Sequence, residues 1–351
     1  MADRVWGLIV MKLLDRAFLF AGSFLFRLSS GGTQRRANRP QRALRGPLRL
    51  DTLEPRLLFS VTPIGLAQEV APPQGAEISA DTAMFADGSF VTAYLKAGEI
   101  YVTHFDVNKR PAPFGTAPSQ LQLTTNGSSG TVDSTISIAT ASERSYILGY
   151  AFRSNSPYDQ FSGIENQIRL VKVDLDAFTG QHQVGGLVAY GTDVAVGGVQ
   201  VDMDAAGNSV VMWREQYSSN SSSDYDLKFI QFNSSLQVTS GSTPAIVAGA
   251  FTSGNEESGE VGMSADGSRL VFAWKVGSTP YMTLYDNTLA TPQVITSRVS
   301  PKTLFGSDDN TAEVDVAIDA DGDSMVTWLD TRGTNTLMSR QLSRTGMFTN
   351  Q

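Results

Sequence analysis

A strand-turn-strand unit recurs along this chain and constrains the fold more than any other feature of the sequence. Its clearest copy is AEVDVAIDADGDSMVTWLD at residues 312–330. Val314, Val316 and Ile318 alternate with acidic or small residues, which is the period-two pattern of a strand with one buried face. The Ala-Asp-Gly-Asp stretch that follows has the residues of a tight turn, and bulky residues then lead to Trp328. The unit is therefore a predicted β-hairpin that ends on an aromatic residue.

Five copies of this hairpin are spread over most of the chain. The aromatic residues that end them are separated by 56, 63, 61 and 54 residues. Such near-regular spacing indicates duplication of one supersecondary unit. The second copy has Ala-Ser-Glu-Arg in place of a turn containing glycine, and it is accepted on its spacing and flanking strands. The copies occupy residues 77–94, 134–150, 199–213, 259–274 and 314–328, and they end on Tyr94, Tyr150, Trp213, Trp274 and Trp328.

Each hairpin is followed by more strand-like residues, with a third segment in all five copies and a fourth in the first four. Four antiparallel strands per repeat is the composition of a β-propeller blade, and such repeats bury both faces by stacking on their neighbours. The sequence therefore predicts an all-β fold, in which residues 61–351 form a propeller of five four-stranded blades. The third segments are 99–105, 167–173, 226–232, 281–285 and 336–342, and the fourth are 121–124, 183–189, 243–247 and 293–296.

The fifth copy has no fourth strand before the chain ends at Gln351. Residues 60–70, SVTPIGLAQEV, are strand-like despite Pro63 and are predicted to fill that place. Pairing the first and last blades through this N-terminal strand would close the ring and remove an edge that invites aggregation. The five closing aromatic residues are predicted to form the core between blades rather than a platform for sugars.

The first 60 residues differ in charge from the rest of the chain. They hold 11 Lys and Arg against 4 Asp and Glu, which leaves 16 against 31 for the remainder. An acidic body repels phosphate backbones, so nucleic-acid binding is not expected.

Within the first 60 residues, residues 17–26 form an apolar run behind Lys12 and Arg16. The run is too short to cross a bilayer but as long as a signal-peptide core. Residues 1–47 are therefore predicted to be an export-signal-like and disordered segment, with an amphipathic terminal helix as the alternative.

The sequence LRLDTLEPRLLFS at residues 48–60 resembles the LEPR-XLL motif of large bacterial secreted and surface proteins. The Arg-rich run ahead of it fits the same family, whereas Phe59 stands where the commonest form has leucine. What the resemblance implies is an address, namely a secreted or cell-surface protein, and no chemistry; the short apolar run predicts that there is no transmembrane span. The residues at the matching places are Leu53, Glu54, Pro55, Arg56, Leu58 and Ser60, and Leu57 stands at the variable place.

Few residues in the chain have the chemistry of a cofactor or metal site. There is no cysteine, and the two histidines are not at a metal-ligand spacing. Asp319, Asp321 and Asp323 alternate around a glycine, and clustered oxygen ligands of this kind can hold Ca²⁺. The complete EF-hand pattern is missing, and turn formation explains the same aspartates. Calcium is therefore a possible addition to this copy, and no other cofactor is expected.

Two long polar insertions in the second and third copies are the predicted binding region, because functional diversity tends to lie in such loops. Their aromatic contact candidates are Tyr158, Phe161, Tyr217 and Tyr225. Ordinary loop disorder is the alternative.

Acidic residues recur near the first strand of each copy, at Glu77, Asp133, Asp202, Glu260 and Asp315. A repeated position indicates a structural role, so no catalytic residue is assigned.

Two functions remain open at this point. The first is a non-enzymatic exported propeller that binds a glycan or a surface protein, or serves as an envelope module. The second is a secreted carbohydrate-active hydrolase of the five-bladed propeller type, which needs two carboxylates within about 10 Å of each other at the propeller axis.

Overall fold

The computed structural model describes the second and larger part of the chain, with gaps. The described segments contain 19 β-strands and no helix, so none that could cross a membrane. This confirms the predicted all-β class. The predicted tail (1–47), the LEPR-XLL-like motif (48–60) and the predicted closing strand (60–70) lie outside the described residues. The residues that the structure describes are 77–113, 119–123, 130–141, 145–154, 166–174, 185–192, 196–216, 225–239, 244–247, 256–288, 292–296, 311–331 and 335–347.

The strands form five antiparallel sheets that follow one another along the chain. Sheet 1 contains β1 (Glu77–Met84), β2 (Phe90–Lys96), β3 (Glu99–Phe105) and β4 (Gln120–Leu123). Sheet 2 contains β5 (Gly130–Thr140), β6 (Ser145–Ser154), β7 (Asn166–Asp174) and β8 (Gly185–Thr192). Sheet 3 contains β9 (Val196–Met203), β10 (Ser209–Gln216), β11 (Tyr225–Phe232) and β12 (Ala245–Ile246). Sheet 4 contains β13 (Glu256–Met263), β14 (Arg269–Val276), β15 (Thr279–Asp286) and β16 (Gln293–Thr296), and sheet 5 contains β17 (Thr311–Ile318), β18 (Ser324–Asp330) and β19 (Thr336–Leu342).

Each predicted copy is one of these sheets. Every sheet begins with the predicted hairpin, and its strands then pair in chain order. The third and fourth strands fall at the predicted places, and sheet 5 has three strands within the described residues, as expected. The turn in the first hairpin of sheet 5 shows why the Asp-Gly pattern forms it. Gly322 has φ of 85°, and the Asp319 carboxylate accepts hydrogen bonds from the backbone amides of Asp321 and Asp323.

Consecutive sheets pack face to face, and their first strands lie side by side. We call the face of a sheet that packs on the next sheet its front face, and the opposite face its rear face. Four apolar cores result, one between each pair of consecutive sheets. Consecutive sheets with neighbouring first strands have the arrangement of β-propeller blades.

The closing aromatic residues follow one rule of orientation. Tyr150, Trp213, Trp274 and Trp328 are buried, and each lies in the core between its own sheet and the preceding one. The prediction that they form the core between blades is therefore confirmed for these four. Tyr94 of sheet 1 is also buried, at 2% exposure, but it belongs to none of the four cores. Tyr94 lies on the rear face of sheet 1, and no described sheet packs on that face.

Candidate functional site

One end of the molecule carries the two long insertions. Residues 155–165 join β6 to β7, and residues 217–224 join β10 to β11. We call the strand ends that flank these insertions the loop-bearing end; the turn between the first two strands of each sheet lies at the other end. Of the predicted contact residues, Tyr158, Phe161 and Tyr217 lie outside the described residues. Tyr225 is the first residue of β11 and lies at the loop-bearing end.

Two acidic side chains face each other at the loop-bearing end of sheet 3. Glu215 of β10 and Asp226 of β11 are cross-strand partners, and their exposed fractions are 4% and 3%. The Glu215 carboxylate accepts a hydrogen bond of 3.0 Å from Trp213 Nε1 and forms an ion pair with Lys228. These groups share the rear face because the register also places Trp213 opposite Lys228. Sequence reasoning missed the pair, because the 217–224 insertion separates its members along the chain.

The opposite face of the same strands carries a basic and an aromatic side chain. The guanidinium of Arg214 lies over the Tyr225 ring, with its central carbon 5.1 Å from the ring centroid. Both side chains are half-buried. A cation above an aromatic face is attracted by the ring quadrupole. Sheet 3 therefore presents a carboxylate pair on one face and an arginine-tyrosine pair on the other.

The neighbouring end of sheet 2 holds a buried arginine. Arg169 is 2% exposed, its guanidinium lies 3.6 Å from the centroid of the Phe152 ring, and its Nε donates to Gln167 Oε1 at 2.9 Å. Burial raises the pKa of the Tyr150 hydroxyl, the nearby Glu99 charge raises it further, and Arg169 opposes both. Arg169 therefore lies between sheets 1 and 2, because Phe152 belongs to the core that these two sheets share.

The acidic and polar residues of the first strands connect neighbouring sheets. Asp81 Oδ2 accepts the amide of Ile138 at 2.8 Å, and Asp202 Oδ2 accepts the amide of Met263 at 2.7 Å. Glu260 Oε1 accepts a hydrogen bond from the Gln200 side chain at 3.0 Å. Carboxylates held in this way by a neighbouring sheet have a structural role, as the sequence predicted for Asp202 and Glu260.

The predicted calcium ligands form a turn. Asp319 accepts the two backbone amides described above, and Asp323 Oδ1 accepts the amide of Arg344 at 2.8 Å. Burial raises the pKa of Asp319. In the described part of the chain, no group of three or more acidic or histidine side chains is arranged to hold a metal ion. Calcium binding by Asp319, Asp321 and Asp323 stays a prediction.

Comparison with known proteins gives similarity at the level of solved structures. No protein-family model and no curated protein matches the chain. The endo-arabinase from Bacteroides thetaiotaomicron VPI-5482 aligns at 12% identity and a TM-score of 0.40, covering 72% of this chain and 88% of its own. The alpha-L-arabinofuranosidase from Lactobacillus brevis aligns at 10% identity and 0.41, covering 78% and 93%. A PL25 ulvan lyase aligns at 6% identity and 0.44, covering 75% and 64%. With TM-scores below 0.5, these likenesses assign no function to the chain.

Proposed function

We propose that the chain is an exported, carbohydrate-directed β-propeller whose glycan site lies at the loop-bearing end of sheet 3. The observation that carries the proposal is the opposed carboxylate pair of Glu215 and Asp226, with Trp213 and Lys228 beside it and Tyr225 on the same strands. Aromatic rings and paired carboxylates are the groups that bind sugars and act on glycosidic bonds. A surface protein as the partner, without any glycan, is the alternative.

The proposed propeller has five blades closed into a ring, with sheet 5 packed on the rear face of sheet 1. The orientation rule supports this closure, because Tyr94 occupies the position that meets the preceding sheet in every other case. On the front face of sheet 5, Met325 and Leu329 are half-buried and Leu337 is 59% exposed. Residues 60–70 are proposed as the fourth strand of sheet 5, beside β19.

Of the two forms of the function, hydrolysis is the one that a specific observation favours. Cross-strand partners have Cβ atoms about 4.5–5.5 Å apart, so the two carboxyl groups lie within the range of about 5–10 Å that glycoside hydrolysis needs. Lys228 and Trp213 hold the Glu215 carboxylate in place by an ion pair and a hydrogen bond, which fits a nucleophile, and Asp226 then takes the part of the acid. In the non-enzymatic form, the same groups are a buried ion-paired cluster that holds the end of sheet 3 together.

The test is an assay of the full chain against a panel of plant and algal polysaccharides, with release of reducing ends as the readout. In the hydrolytic form, Glu215→Gln and Asp226→Asn each lower the rate by about 100-fold or more. Glu257→Gln is the matched control, because Glu257 lies in sheet 4 and pairs with Lys275 at 3.3 Å. Binding of a polysaccharide without cleavage would establish the non-enzymatic form. A chain that neither binds nor cleaves any of them would contradict the proposal.

Export is proposed on the basic and apolar residues 1–47 and the LEPR-XLL-like residues. Fusing residues 1–60 to a reporter that is active only outside the bacterial cytoplasm tests it. Activity of the fusion that is lost when Lys12 and Arg16 are both changed to Glu is the expected result, since the basic region precedes the apolar run. A fusion that stays in the cytoplasm contradicts export.

A further inference from the structure

The arginine-tyrosine pair on the front face of sheet 3 has no acidic partner among the residues that the structure describes. Arg214 projects from the end of β10, and its aliphatic stem passes close to Gly198 of β9. A Cβ built on Gly198 would lie 3.5 Å from Arg214 Cγ. The stem therefore rests against backbone, and the guanidinium is carried out to the loop-bearing end, above Tyr225.

Within the described residues, the guanidinium of Arg214 makes no ion pair or hydrogen bond, and it lies over the ring of Tyr225. Two lysines of sheets 3 and 4 do have acidic partners, since Lys228 pairs with Glu215 and Lys275 with Glu257. An arginine that meets no carboxylate among the described residues is unusual in a body that carries 31 acidic residues against 16 basic ones after residue 60. Its fork of donors matches a carboxylate, which it can bind through two parallel hydrogen bonds.

We propose that Arg214 and Tyr225 form a subsite for the carboxylate of a uronic acid residue, so that the glycan of the proposed function is an acidic polysaccharide. Arg214 binds the carboxylate, and the ring of Tyr225 holds the guanidinium plane in place. A neutral sugar offers this arginine no charge to pair with, whereas the carboxylate of a uronate does. This inference rests on the proposed glycan site at the same end of sheet 3, and it concerns the class of sugar rather than the chemistry performed on it.

The test compares three probes on the full chain by isothermal titration calorimetry: oligogalacturonate, its methyl ester and a sulfated oligogalactan. The methyl ester removes the charge and keeps the sugar. We expect the wild-type chain to bind the acid about tenfold or more tightly than the ester, and Arg214→Ala to remove this difference. Arg214→Lys keeps the charge without the planar fork and is expected to recover only part of it. Arg153→Ala removes an exposed charge at the end of β6 and is the matched control, expected to bind like the wild type.

The outcomes separate the two proposals. Equal binding of acid and ester by the wild-type chain, or unchanged discrimination in Arg214→Ala, overturns the uronate subsite and leaves a neutral-glycan function standing. Tighter binding of the sulfated probe, lost in Arg214→Ala, overturns the assignment to a carboxylate. Absence of binding to these probes and to every neutral glycan overturns the proposed function together with the subsite. Thermal unfolding of each variant distinguishes lost binding from lost folding.

Discussion

Substitution of Gly149 tests the face-to-face packing of sheets 2 and 3 at a single point. Gly149 lies in β6, and a Cβ built there would meet Val201 Cγ1 of sheet 3 at 2.5 Å and Val199 Cγ1 at 3.1 Å. Both contacts are closer than ordinary van der Waals distance. Gly149→Ala therefore overpacks this core, at a cost of about 1–3 kcal/mol, part of which is offset by the lower entropy of the unfolded chain.

Combining Gly149→Ala with Val201→Ala shows whether the two residues are in contact. Val201→Ala removes two methyl groups from a buried side chain and costs about 2 kcal/mol by itself. In the double variant the new methyl group occupies the space of the lost one, so the combined loss is expected to be smaller than the sum by about 1 kcal/mol or more. The measurement is the free energy of unfolding in urea for the wild type, both single variants and the double variant.

The control is Gly88, a turn glycine that packs against no neighbouring sheet. Gly88 has φ of 86°, and no atom lies within 4 Å of a Cβ built on it. Gly88→Ala is therefore destabilised by backbone strain of about 1–2 kcal/mol, and this loss is expected to add to that of Val201→Ala without compensation. If Gly149→Ala is as stable as the wild type, or if its effect adds to that of Val201→Ala, the two sheets do not pack as described.

Three further predictions follow from individual side chains. Asp81→Ala is expected to cost about 1–3 kcal/mol in urea unfolding, because the buried amide of Ile138 loses its acceptor; an unchanged midpoint contradicts the contact between sheets 1 and 2. Hydrogen bonds from Ser264 and Ser268 lower the pKa of Asp266, so its stabilising contribution is present above the unfolded pKa of about 3.8 and is lost as pH falls through the folded value. Burial raises the pKa of Asp319, so the contribution of this residue is present below 3.8 and is lost as pH rises through its folded value. From pH 3 to pH 7 in EDTA, Asp266→Asn should therefore lose stability relative to the wild type and Asp319→Asn should gain it, and the same sign for both would refute this account of the turns. If the predicted calcium site exists, millimolar Ca²⁺ raises the melting temperature of the wild type and not that of an Asp319→Asn/Asp323→Asn double variant, and an equal response of both proteins rules the site out.

The positions of the strands were predictable because turn residues mark the ends of the strands in most copies of the repeat. The sequence placed β3, β16 and β19 at the bounds that the structure shows. The fourth strand of sheet 3 was less defined. It has only two residues, Ala245 and Ile246, both exposed, so little apolar patterning marks its ends. Local pattern therefore predicted the hairpins well and the outer strands less closely.

The candidate site was only partly predictable, because it depends on register and on the face of a sheet. Tyr225 was predicted from its place beside an insertion. The opposition of Glu215 and Asp226 depends on how β10 and β11 align, and the insertion between them hides that alignment in the sequence. A one-residue slip would exchange the faces of every side chain on a strand. The pairing of Arg214 with Tyr225 was missed for the same reason.

The central claim is that the five sheets close into a ring, and equivalent turn residues allow a direct measurement. Ala86, Ala265 and Ala320 occupy the same position in the first turns of sheets 1, 4 and 5, and all three are exposed. Because the chain has no cysteine, two introduced cysteines carry the only spin labels. The distance between labels on sheets 4 and 5, at Ala265→Cys and Ala320→Cys, serves as the ruler for neighbouring blades. Pulsed electron paramagnetic resonance should give the same distance for Ala86→Cys with Ala320→Cys, whereas a markedly longer or broader distribution for that pair would show that the ring is open.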